Sequence, residues 1–247
     1  RLRPYALQPF CIEADVLTVD ELRDLGLGDA PRTLFGRALR RLRKPAMAVI
    51  SERSFGFDPA VLDCRTPCYL KGYWQSPKYF AAIEPKIRRE LTVSTPLKGQ
   101  NEELAERIRA SIACSIHVRR GDYVTSSPTN KYHGSCSGEY YYAAERFLQR
   151  HVNQLRLFVF SDDPEWARRN LRFASPAVVV DHNHDQGHED LRLMTMCRHH
   201  VIANSTFSWW GAWLCDHPEK IVIAPQKWFG EAGHSTEDLI PKNWARV

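Results

Sequence analysis

Residues 111–123 read SIACSIHVRRGDY. Ile112–Val118 is a short, nearly unbroken apolar run, not an alternating one, which is the pattern of a strand covered on both faces. It breaks directly into Arg119, Arg120, Gly121 and Asp122. Similar runs recur at Leu155–Phe160, Ala177–Val180, His200–Ala203 and Ile221–Ala224. Stretches of helical spacing lie between them, at Glu139–His151, Pro164–Phe173, Glu189–His199 and Phe207–Cys215. Strands alternating with helices predict parallel βα units, so residues 111–247 are expected to form a doubly wound α/β domain.

The preceding part is mixed in pattern. Glu102–Ala110 (EELAERIRA) reads as a helix leading to a domain boundary near Ser111, which makes residues 1–110 a separate N-terminal domain. Arg37–Lys44 (RALRRLRK), with Leu34, Phe35, Ala38, Leu39 and Leu42, has the spacing of an amphipathic basic helix. Such a helix is either a solvated face or a peripheral contact with a membrane surface. The 247 residues are 43% apolar and 26% charged, ordinary for a globular chain and unlike a collagen or a disordered scaffold. No apolar run approaches the ~20 residues of a membrane span. The net charge of +5 suits an anionic partner, but the basic residues are dispersed and carry no nucleic-acid recognition motif. Seven cysteines, an odd number without a CxxC pair, predict free thiols in a reducing compartment, hence the cytoplasm.

In a doubly wound sheet, ligands bind beyond the carboxyl ends of the strands. Three of those ends are polar here. After Val118, Arg119 and Arg120 offer fixed donors to a diphosphate, or else form a surface pair with Asp122. In FVFSDDPEW, Asp163 can cap a helix opened by Pro164, which leaves Asp162 as the candidate ligand contact. In HVIANSTFSWWGAWL, the junction Asn204-Ser205-Thr206 either caps the following helix or presents its N-terminus to a phosphate. Trp209, Trp210 and Trp213 on that helix are read as core. The segment Asp181–Asp190 (DHNHDQGHED) clusters His182, His184 and His188, but it reads as a solvated loop, and no metal site is expected. Asp190 opens the next helix and can face the same crevice.

Together these motifs carry a resemblance. His117-Val-Arg-Arg-Gly-Asp-Tyr123, Phe160-Ser-Asp-Asp163, and Asp190-Leu-Arg-Leu-Met with Ala203-Asn-Ser-Thr-Phe-Ser-Trp-Trp-Gly-Ala-Trp213 resemble the α-1,2-fucosyltransferases. Gly72-Tyr-Trp-Gln-Ser, Tyr79-Phe80 and Ala224-Pro-Gln-Lys-Trp228 resemble further stretches of that family, in the same order. The resemblance implies a GT-B-like fold, two Rossmann-type domains facing a cleft, with GDP-fucose on the C-terminal one. It implies inverting, metal-independent transfer of fucose to the 2-hydroxyl of a galactose-terminated glycan or glycolipid, with no cofactor beyond the donor. By the family pattern Arg119 and Arg120 meet the pyrophosphate and fucose. His117 and Asp190 lie near the guanosine, and Ser205, Thr206 and Ser208 lie on the phosphate side.

Asp122 is the nearest carboxylate for the role of general base, or else it orients an arginine. Family members begin with a strand and a GGLGNQ-type loop, whereas here Gly26-Leu-Gly28-Asp29 falls too late and lacks Asn-Gln. The N-terminal domain is therefore expected to be incomplete, which makes a GDP-sugar-binding remnant without turnover the rival to an active enzyme.

Overall fold

The computed structural model describes residues 5–25, 27, 47–121, 134–230 and 235–247. Arg37–Lys44 and Asp122 lie outside these residues. The first elements are helix α1 (Val19–Asp24) and strands β1 (Ala48–Ser51) and β2 (Cys68–Lys71), which pair in parallel as a small two-stranded sheet. Helices α2 (Glu84–Glu90) and α3 (Gln100–Arg109) follow. From there strand and helix alternate: β3 (Ile112–Val118), α4 (Gly138–Gln149), β4 (Leu155–Ser161), α5 (Pro164–Asn170), β5 (Ala177–Val180), α6 (Gly187–Met196), β6 (His199–Val201), α7 (Thr206–Leu214), β7 (Val222–Ala224) and β8 (Ala245–Arg246).

The last six strands form one all-parallel sheet in the order β5-β4-β3-β6-β7-β8. The chain winds outward from β3 in one direction, then returns and winds outward from β6 in the other. That is the Rossmann strand order, and its reversal point lies between β3 and β6.

Burial explains why these runs are strands. Six of the seven residues of β3 are buried, and alternate residues serve opposite faces. Cys114, Ile116 and Val118 join Leu155, Leu157 and Val159 of β4 against Tyr141, Ala144 and Leu148 of α4 and Ala167 of α5. Ala113 joins Phe158 and Phe160 on the other face, against Leu104, Ala105 and Ile108 of α3 and Leu193 and Met194 of α6. Ser115 and His200, buried in the sheet, are in register across β3 and β6, with Oγ and Nδ1 2.8 Å apart, while His200 Nε2 makes no hydrogen bond within the protein.

Several ends differ from the sequence reading by one to three residues, and three of them have a clear cause. β6 stops at Val201, not Ala203, because Ala203 already turns toward α7, its carbonyl accepting from Ser205 N at 2.8 Å. α6 ends at Met196, because Cys197 is extended and buried and leads into β6. α5 ends at Asn170, because Leu171 is extended and buries itself beneath α4. No described helix is long and apolar enough to cross a membrane.

Candidate functional site

The carboxyl ends of β4, β3 and β6 stand side by side at the reversal point. The exit of β3 is held from β4. Asp162 accepts the Arg120 backbone N–H at 2.8 Å through Oδ1 and pairs with Arg119 Nη1 at 3.0 Å through Oδ2. A Cβ on residue 121 would lie 2.6 Å from that same Oδ2, so glycine is what lets the chain pass the pinned carboxylate. Asp163 caps α5 through Trp166 N at 3.1 Å, as the sequence predicts, and also lies 3.6 Å from Arg120 Nε. The Arg120 guanidinium lies over the Trp166 ring, 3.7 Å from its centroid. Cation–π contact and ion pair together fix the orientation of a planar fork of donors. Asp162 thus has work within the protein that the sequence reading did not foresee, since it positions both arginines.

The opposite wall is the start of α7. Ser205 occupies the N-cap position with extended backbone, but its side chain makes no capping bond. Thr206 follows, exposed, at the first helical position. The dipole and N–H groups of this turn therefore meet no side-chain acceptor from the cap residue. Phe207 of the same turn packs on the His117 ring, with centroids 5.4 Å apart, which brings the end of β3 against α7. The Tyr141 hydroxyl donates to the His117 carbonyl at 3.1 Å, and Tyr140 donates to the Ile202 and Ile223 carbonyls at 2.6 and 3.1 Å. Two successive tyrosines of α4 thus fasten the ends of β3, β6 and β7, a role the sequence signals only as an unexplained aromatic run.

Other candidates are engaged elsewhere. The Asn204 amide donates to the carbonyls of Gly134 and Trp228 at 3.2 and 3.1 Å, tying loops together. Ser208 is buried, and its hydroxyl donates to the Ser205 carbonyl at 3.2 Å. Asp190 accepts from the Asn183 amide at 2.7 Å, Asn183 accepts from Asn101 at 2.8 Å, and Asn101 meets His182 Nε2 at 2.7 Å. This chain anchors the loop after β5 to α3, so that loop is only partly the solvated segment the sequence suggests. Burial raises the Asp190 carboxyl above its ordinary range, against the Asn183 hydrogen bond. Among the described residues no group of three or more His, Cys, Asp and Glu could hold a metal ion. Of the three tryptophans, Trp209 and Trp213 are core while Trp210 is only half-buried.

His117 is buried, its Nδ1 makes no hydrogen bond within the protein, and burial and the Arg119 charge push its pKa down to about 3. Burial, with Lys220 and His199 nearby, pushes His200 down to about 3 as well. Both stay neutral in the fold, while the unfolded chain takes up protons below about pH 6.5. Stability is therefore complete above that pH and falls as pH drops from about 6.5 toward 3, by up to about 1.4 kcal/mol per pH unit for each histidine. Urea unfolding between about pH 7.5 and 5 should show this slope, reduced by one proton in His200→Asn. An unchanged slope in that variant would contradict the assignment.

Residues 49–247 match the model of glycosyl transferase family 11. The chain is 38% identical over 178 residues to an alpha-1,2-colitosyltransferase of Escherichia coli, covering 71% of this chain and 61% of that one. It is 39% identical over 134 residues to the O-antigen biosynthesis glycosyltransferase WbnK of Escherichia coli, covering 54% and 44%. It is 32% identical over 154 residues to the galactoside 2-alpha-L-fucosyltransferase SEC1 of Bos taurus, covering 59% and 41%. The matches thus span 61% or less of the length of each of these relatives. No solved structure gives a significant match.

Proposed function

As the chain belongs to glycosyl transferase family 11, we propose that it moves L-fucose from GDP-β-L-fucose to the 2-hydroxyl of a terminal galactoside on a glycan or glycolipid, with inversion and without a metal. The observation that carries this reading is the pair Arg119–Arg120, oriented by Asp162 at the reversal point of the sheet and set beside the start of α7. In this reading residues 111–247 are the donor domain and residues 1–110 the acceptor side of a GT-B-like arrangement.

Transfer breaks the bond from fucose C1 to the diphosphate and forms one to the acceptor oxygen, through a centre of oxocarbenium character. Negative charge grows on the departing GDP. Donors already fixed in place lower that barrier without having to reorganise. Arg119, Arg120 and the Thr206 turn supply such donors, in the role a cation would otherwise fill. His117, neutral and buried beside them, fits a hydrogen bond to the nucleoside. Asp122 is proposed to take the acceptor proton.

GDP and GDP-fucose are expected to stabilise the fold, by about 2.7 kcal/mol at 100 times the dissociation constant, and ADP much less. Equal stabilisation by GDP and ADP in thermal unfolding would remove the guanosine assignment. A second reading, with colitose in place of fucose as the transferred sugar, is favoured by the 38% identity to the colitosyltransferase. Competition between the two sugar nucleotides for one site separates them.

A further inference from the structure

Next to the start of α7 is a recess between the GYWQS stretch and the turn of Thr206. Its volume is about 160 Å³, and it is lined by Tyr73, Trp74, Gln75, Phe80, Thr206 and Trp210, among others. One wall comes from the GYWQS stretch and the other from the turn that carries Thr206. We propose that this recess binds the terminal β-galactosyl unit of the acceptor, with Trp74 and Gln75 as its recognition residues; this rests on the transferase reading above.

The wall is built under strain. Glu52 accepts the backbone N–H of Tyr73 at 2.7 Å and that of Trp74 at 3.0 Å. Gly72 permits this approach, because a Cβ there would lie 2.4 Å from the Glu52 Cβ. The result is Trp74 at φ 51°, in the left-handed region that a bulky residue rarely enters. Tyr79 packs edge-on against the Trp74 ring, with centroids 5.5 Å apart, and helps to hold it. Strain of this kind persists only where surrounding contacts over-determine it, and such positions cluster at ligand sites.

The same wall carries polar atoms without partners. Trp74 Nε1 and Gln75 Oε1 are both buried, and neither makes a hydrogen bond within the protein. A buried group of either kind is costly to leave unpaired. One is a donor only and the other an acceptor. A sugar hydroxyl is both, so adjacent hydroxyls on one ring can satisfy the pair. Four further lining residues, Tyr73, Phe80, Trp209 and Trp210, are aromatic, and Tyr73 stands 76% exposed. Aromatic faces stack on the apolar face of a pyranose. Galactose, with an axial 4-hydroxyl, presents a larger such face than glucose. The position beside Thr206 sets this sugar next to the proposed diphosphate site, as transfer requires.

Saturation-transfer NMR on the 247-residue chain, with methyl β-D-galactopyranoside, methyl β-D-glucopyranoside and L-fucose as probes, tests this directly. The galactoside should receive the strongest saturation, chiefly on its apolar face. Trp74→Phe and Gln75→Leu should each weaken its affinity about fivefold, the weight of one hydrogen bond, with the urea midpoint unchanged. The inference is overturned if the galactoside signal is absent, if it is insensitive to both variants, or if L-fucose exceeds it. GDP titration of the same samples reads the donor site independently: loss of GDP binding in the wild type would defeat the transferase reading, while the sugar arm would still decide the recess.

Discussion

Arg119→Ala and Arg120→Ala are each expected to lower sugar transfer by about two to three orders of magnitude, as loss of a preorganised donor to a developing anion does. GDP affinity should fall by about 1.5–3 kcal/mol, the worth of a charge-assisted contact. The fold should suffer much less. The Arg119–Asp162 pair is partly exposed, and such pairs contribute only about 0–1 kcal/mol. Arg120 contributes somewhat more, because its guanidinium covers the Trp166 ring, an arrangement worth about 0.5–2 kcal/mol. Asp162 keeps the Arg120 N–H bond in either variant, so the exit of β3 stays in place. Lysine should not restore function at either position, since an ammonium neither forks nor stacks as a guanidinium does. Calorimetry with GDP beside urea unfolding separates the outcomes. Wild-type affinity in both variants would mean that the nucleotide lies elsewhere, and unfolding of either would make that arginine structural.

Much of the frame behind this prediction was legible without coordinates. Ile112–Val118 and Ala177–Val180 form strands over the very residues their runs mark, the first because six of its seven residues are buried. β8 was not legible: a two-residue strand has no period, and only its pairing with β7 defines it. β1 and β2 carry no strand signal in the sequence because they are mostly exposed and so lack a buried pattern.

Within the site, sequence could find the ends of the strands but not who holds whom. Asp162 and Asp163 look alike in a string, and Pro164 marks Asp163 as the cap. That Asp162 then clamps Arg119 and Arg120 is a cross-strand relation, set by the parallel register that pairs Val118 with Ser161. Asn204 is a similar case. Its motif suggests a ligand contact, whereas its amide joins two loops distant in sequence. The Gly72–Gln75 wall had one local signal, a glycine before two aromatics. What that glycine makes room for, the Glu52 carboxylate, comes from another segment.

Trp209→Ala is expected to cost about 3–5 kcal/mol of stability, the range for emptying a large buried aromatic site. Trp209 is 6% exposed, and its Nε1 donates to the Leu239 carbonyl at 2.8 Å, so truncation opens a cavity and also leaves a buried acceptor unpaired. Its ring stacks on Trp213 with centroids 6.1 Å apart and meets Trp244 at 5.6 Å. Trp213 → Ala should fall in the same range, since Arg88 of α2 covers that ring at 4.2 Å. Trp210, which helical spacing alone groups with its neighbours, is half-buried and stacks on Phe80 at 5.3 Å, outside the sheet core. Its truncation should cost clearly less. The difference has a consequence for function. Phe55, Phe80 and Ile87 pack on the Trp209–Trp213 cluster, so this core also fastens the segments flanking the GYWQS wall to α7. Trp209→Ala should therefore weaken galactoside binding along with the fold, whereas Trp210→Ala should weaken binding while leaving most of the fold's stability intact. Urea unfolding of the three variants decides the ranking, and a loss below about 1 kcal/mol for Trp209→Ala would show that the aromatic cluster is not the core it is built to be.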